Sequence, residues 1–154
     1  MPTTTNKTFL QTEALPLLQN LSADAKPSFG LMTPQHMVEH LIWVTKTTIG
    51  RKGEPEKEPT KSQLYFGKFI ANGAIFEYRP KPGTTKADLP PLKYDSLEEA
   101  IEQVAPAIER FYQHFEDNPD AVCYNPMMGE LTKADLEVFH AQHYRWHLHQ
   151  FGLM

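Results

Sequence analysis

The last stretch of the chain, residues 132–152 (TKADLEVFHAQHYRWHLHQFG), constrains the fold more than any other. It holds four of the seven histidines. Thr132 followed three residues later by Asp135 reads as a capping box, and Gly152 stands where a helix needs a residue with positive φ. Between these signals the segment is predicted to be one helix. At about 100° per residue, His143 and His147 fall within about 40° of each other, with His140 close by. Leu136, Phe139 and Phe151 share that stripe, so the imidazoles are expected to point inward. A desolvated imidazole needs a partner, and one metal ion would satisfy several together.

Such a helix needs others to pack against. Thr33 reads as the N-cap of a second helix with Pro34 at its first position, and QHMVEHLIWVTKTTI carries helical periodicity to Gly50. Met37, Leu41, Val44 and Thr48 define its inward side. His40 lies on that half, and His36 falls on the flank beside Trp43. Residues 8–21 predict a further helix that tolerates Pro16 near its start, followed by a break at Pro27 and Gly30 whose loop packs Phe29. Ser96 and Glu99 predict a capping box opening a helix through residue 117, kinked or interrupted at Pro106. His114 is read as facing solvent. A short helix over 60–73 offers Leu64, Phe66, Phe69 and Ile70 for packing. No stretch alternates long enough to predict a strand, and no internal repeat is present. The expectation is an all-α chain of four main helices plus a short extra one, forming a single domain over residues 1–154.

Between the helices lie three irregular segments. Residues 51–59 are charged and read as solvated surface. Residues 76–94 carry four prolines and no period. Long ordered segments of this kind cover or line something; a floppy excursion is the alternative. In 118–131, Pro119, Pro126 and Gly129 read as breakers, and Glu130 is only a distant candidate for a base.

Composition narrows the function. A net charge of −4 with interspersed signs provides no basic footprint for nucleic acid or an anionic membrane. The start of the chain has no apolar leader core, and no run reaches the length of a membrane helix. Cys123 is the only cysteine, so a cytoplasmic location and an incidental rather than nucleophilic thiol are expected.

Antiparallel helices can bring inward side chains to one point in a bundle core. His143 and His147 form H-x-x-x-H, with His40 the natural third ligand; three imidazoles leave a fourth position for water or substrate. The competing reading is a set of hydrogen-bonded histidines with no ion. His140 reads as a core-edge neighbour, His149 as exposed, and Tyr144 and Trp146 as packing. There is no H-E-x-x-H and no glycine-rich phosphate loop. Glu39 projects about 100° away from His40. The sequence therefore names no general base. Phe29, Tyr65 and the 76–94 segment are expected to shape any pocket.

Three motifs in order, M-T-P-Q-H-M-V-E-H-L, N-P-M-M-G-E-L-T-K-A-D and H-Y-R-W-H-L-H-Q-F-G, resemble the DinB-like superfamily, and more narrowly a family of uncharacterised bacterial proteins within it. Residues 51–94 carry no motif that aligns. The resemblance implies an up-down-down-up four-helix bundle whose second helix supplies one metal ligand and whose fourth supplies two. These positions match His40, His143 and His147. It implies zinc or nickel as the ion, and many relatives are dimers. Relatives include transferases and isomerases that use a low-molecular-weight thiol such as bacillithiol or mycothiol. A small-molecule substrate follows from the same resemblance. Asn125 and Trp146 stand where histidines are common in the narrower family. The expected function is a metal-dependent thiol S-transferase or hydrolase, with a non-catalytic metal- or small-ligand-binding bundle as the alternative.

Overall fold

The computed structural model describes residues 5–50, 57–72, 82–125 and 128–154, and the side chains of residues 69–72 are not described. Phe69, Ile70, Pro126, most of the 51–59 segment and the first part of the 76–94 segment lie outside the described residues or side chains. The fold is mostly helical with one small two-stranded sheet. No helix among the described residues is long and apolar enough to cross a membrane.

Helix α1 (Asn6–Thr8) runs through a wider π-helical turn (Phe9–Glu13) into α2 (Ala14–Gln19). In that turn the Ala14 N–H bonds to the Phe9 carbonyl. It precedes Pro16, whose missing N–H and bulky ring disfavour a regular turn over residues 12–16. α3 (Pro34–Gly50) follows, and the Thr33 hydroxyl accepts the His36 N–H at 3.2 Å, as expected of its cap. α4 spans Lys61–Asn72. It buries Phe66, but Leu64 is exposed. The helix expected after Ser96 breaks into α5 (Leu97–Glu102) and α6 (Val104–Asp117). Pro106 lies in the first turn of α6, where a missing donor costs least. Ser96 accepts the Glu99 N–H, but the Glu99 carboxylate reaches past Ser96 to the Asp95 N–H, so the box is shifted by one residue. His114 is half-buried and set edge-on to Phe115, not fully solvent-facing.

The absence of strands expected from sequence is corrected. β1 (Cys123–Asn125) and β2 (Gly129–Leu131) pair antiparallel, with Tyr124 opposite Glu130. Three residues per strand are too few for alternation to be visible. α7 (Lys133–Gln150) has both predicted ends. Thr132 and Asp135 cap each other reciprocally. At the other end, Gly152 has φ +68, and Leu153 N–H bonds to the Leu148 carbonyl at 2.8 Å, which closes a Schellman turn.

The core forms where α3 packs against α5, α6 and α7. Met37, Val38, Leu41, Val104, Phe111, Leu136 and Leu148 are fully enclosed there. The N-terminal segment closes over α7, where the Arg145 guanidinium sits 4.2 Å from the Phe9 ring and donates to Asn6. α7 is buried around most of its circumference, not along one stripe, with Gln142, Tyr144 and Trp146 enclosed as well as the histidines.

Candidate metal centre

His143 and His147 stand one turn apart on α7, and α3 carries His40 to them. His143 Nε2 lies 3.0 Å from His40 Nε2 and 3.1 Å from His147 Nε2. The three residues each offer one nitrogen, all within 4.8 Å of one another, which is close enough to hold a single metal ion. His143 and His147 are buried and His40 is half-buried.

Hydrogen bonding fixes the proton on His147. The Gln150 amide donates to the Phe29 carbonyl at 2.9 Å, which turns its Oε1 toward His147 Nδ1 at 2.7 Å. An amide oxygen only accepts, so Nδ1 carries the hydrogen and Nε2 presents a bare lone pair. Gly30 makes this approach possible: it has φ +82, and a Cβ there would lie 2.9 Å from Gln150 Nε2.

Without a cation the cluster cannot be satisfied. A single hydrogen on His143 Nε2 can point at His147 or at His40, and a bare His143 Nε2 faces the His147 lone pair directly. His143 Nδ1 is buried and has no hydrogen-bond partner among the described residues. One cation accepting three lone pairs resolves every close nitrogen contact, so the donor set fits a metal. Electrostatics agree. Burial, reinforced by the neighbouring His147, lowers the His40 pKa to about 4. Burial also holds His143 well below its ordinary value, and His147 below it against the opposing Gln150 hydrogen bond. Neutral imidazole is the ligating form.

The other histidines separate cleanly. His36 bonds to Thr33 Oγ1 through Nδ1 at 2.6 Å and to the Pro90 carbonyl through Nε2 at 3.0 Å, so both nitrogens are engaged away from the cluster. His140 is not at the core edge; it is 1% exposed and hydrogen-bonded through Nε2 to Thr48 Oγ1 at 2.9 Å. Burial lowers its pKa to about 3. His149 is exposed as expected. Tyr144 packs in the core with its hydroxyl on Thr45 at 2.7 Å. The Cys123 thiol is pushed up by burial, which suits an inert side chain better than a nucleophile.

Two cavities adjoin the cluster and share Met32 and Leu89 as walls. The larger, about 580 Å³, runs along α3 and is lined by His40, Trp43, Lys46 and Pro90. The smaller, about 170 Å³, is lined by Phe29, Trp146, His147 and Gln150. Phe29 packs on Trp146 with ring centroids 4.6 Å apart. The described part of the proline-rich segment, 82–94, forms the far wall of both, and α3 tethers it. Glu39 accepts the Lys93 N–H at 2.6 Å, the Tyr94 N–H at 3.3 Å and the Gln35 amide at 2.9 Å. Gln35 also donates to the Tyr94 carbonyl. The segment is thus a wall, not an excursion. Tyr65 lines neither cavity, contrary to expectation.

Sequence reasoning missed Gln150 and Glu39. A glutamine three residues after His147 was the available signal for the first; nothing local to α3 signals the second. Comparison with known proteins finds no matching family model, no matching curated protein and no matching solved structure.

Proposed function

We propose that the chain is a metal-dependent enzyme of the thiol S-transferase or hydrolase type, on a DinB-like up-down-down-up helical bundle. His40, His143 and His147 would hold one divalent cation, zinc or nickel. Bound there, such an ion supplies a Lewis acid that makes a water or a thiol ionise near neutral pH. The observation that carries the reading is the meeting of three ring nitrogens at the wall of a cavity large enough for a small molecule.

The chain's own residues do the rest. Gln150 holds the proton of His147 on Nδ1 and keeps Nε2 bare. Met32 and Leu89 line both cavities and keep the approach apolar. The two carboxylates that line the cavities among the described residues are both engaged: Glu39 by Lys93 N–H, Tyr94 N–H and its neighbour Gln35, and Asp88 by the Thr85 N–H and hydroxyl. That favours chemistry in which the nucleophile is activated without a separate side-chain base. The same observation supports a second reading, a non-catalytic metal- or small-ligand-binding protein.

Metal analysis of untagged protein tests the first step. Wild type retains about one ion per chain and His143→Ala retains none; equal, near-zero content in both would sink the proposal. Metal-dependent turnover in a screen of thiol acceptors and hydrolysable esters then rejects the non-catalytic reading, and its absence rejects the enzyme.

A further inference from the structure

The larger cavity has a shape and a charge distribution that point to a particular kind of molecule. Its volume, about 580 Å³, lies within the roughly 300–1,000 Å³ range of small-ligand sites. Its walls are apolar on both sides: Ile42 and Trp43 from α3, and Leu89, Pro90 and Pro91 from the opposite segment. Trp43 is 58% exposed, a large aromatic surface left to solvent beside this opening.

The charges are unevenly committed. Among the described residues Glu39 is the only carboxylate in the lining, and its oxygens take hydrogen bonds from Lys93 N–H, Tyr94 N–H and Gln35. Two lysines line the same cavity, Lys46 on α3 and Lys93 on the opposite wall. The described lining therefore carries one excess positive charge, two lysines against one carboxylate. Lys93 lies with its Nζ 5.5 Å from the Tyr94 ring. Lys46 is half-buried and has no ion-pair partner among the described residues. It follows His40 by six residues, which places it about 9 Å further along the α3 axis at about 1.5 Å per residue.

We propose that this cavity binds an elongated amphipathic monoanion, a medium-chain or aryl-alkyl carboxylate. Its apolar body lies along α3 between Trp43 and the two prolines, its carboxylate meets Lys46, and its far end reaches His40. As the substrate class of the metal site, this rests on the function proposed above; as a binding site, it stands on the cavity alone. The apolar walls select the body by burial, and the uncommitted lysine selects the sign of the end group. Neutral and cationic molecules of the same length lack a partner there.

Trp43 reports occupancy directly. Full-length protein, both zinc-loaded and chelator-stripped, is titrated with octanoate, octan-1-ol, octylammonium and acetate below their aggregation limits, and tryptophan fluorescence is followed. Octanoate should saturate the signal with a blue shift, octan-1-ol and octylammonium should bind about tenfold more weakly or worse, and acetate should give no change. The shift should vanish in Trp43→Phe, which leaves only Trp146 to report. Lys46→Gln should weaken octanoate about tenfold while leaving octan-1-ol unchanged, and Lys46→Arg should restore it. Equal binding of octanoate and octylammonium overturns the proposal. So does octanoate affinity unchanged by Lys46→Gln, or a signal that persists in Trp43→Phe. Zinc content measured on the same samples separates the two readings. Octanoate binding to protein that takes up no zinc supports this site and rejects the metal centre; zinc uptake without octanoate binding overturns this site and leaves the centre standing.

Discussion

At the scale of single residues, the amide of Gln150 ties a loop carbonyl to His147 Nδ1 and in doing so leaves the opposite ring nitrogen bare for a cation. Ligand histidines whose second nitrogen is held this way lose about 10–100-fold in metal affinity when the holder is removed. Gln150→Ala should therefore weaken zinc binding by that factor without loss of helical circular dichroism. Unchanged affinity would mean that Gln150 serves packing alone. The meeting of His40, His143 and His147 was legible because helical spacing sorts histidines by direction, and all three fall on inward sides. Gln150 was not, because its second partner, Phe29, is 121 residues away in sequence. His140 was misjudged because α7 is enclosed nearly all round, so its depth depends on Thr48 of α3 and Phe111 of α6.

Among the elements, α7 was the most legible, since a capping box and a glycine turn at its two ends act within a few residues of chain. Pro106 likewise acts locally and divides α5 from α6. The β1–β2 ribbon was not legible: its register is set by pairing, and neither strand is long enough to show a period. The 82–94 segment was legible as a stretch that lines a pocket, but its anchoring to α3 was not, because Glu39 recognises backbone N–H groups, which carry no sequence signature. Glu39→Ala should release this wall. Amide exchange at Lys93 and Tyr94 should accelerate while the interior of α7 keeps its protection, with a loss of about 1–3 kcal/mol for the unmet donors. Protection unchanged at Lys93 and Tyr94 would contradict that role.

For the molecule as a whole, burying neutral imidazoles couples folding to pH. His40 and His140 are held at about 4 and about 3, and His143 and His147 also lie below the ordinary value near 6.5. The unfolded chain binds protons first, so metal-free protein should keep full stability above about pH 6.5. It should then lose stability as pH falls, by about 1.4 kcal/mol per pH unit each for His40 and His140 until their folded-state values are reached, with His143 and His147 acting in the same direction. Chemical denaturation between pH 7.5 and 4.5 checks this, and a flat profile would contradict the buried, neutral cluster. Metal binding acts in the same direction, because only the folded chain brings α3 and α7 together. The most direct measurement is a calorimetric titration of zinc into stripped, untagged protein near pH 7. One ion should bind per wild-type chain, and His143→Ala should abolish that binding while remaining helical by circular dichroism. No binding to wild type, or the same binding to His143→Ala, would contradict a metal centre at His40, His143 and His147.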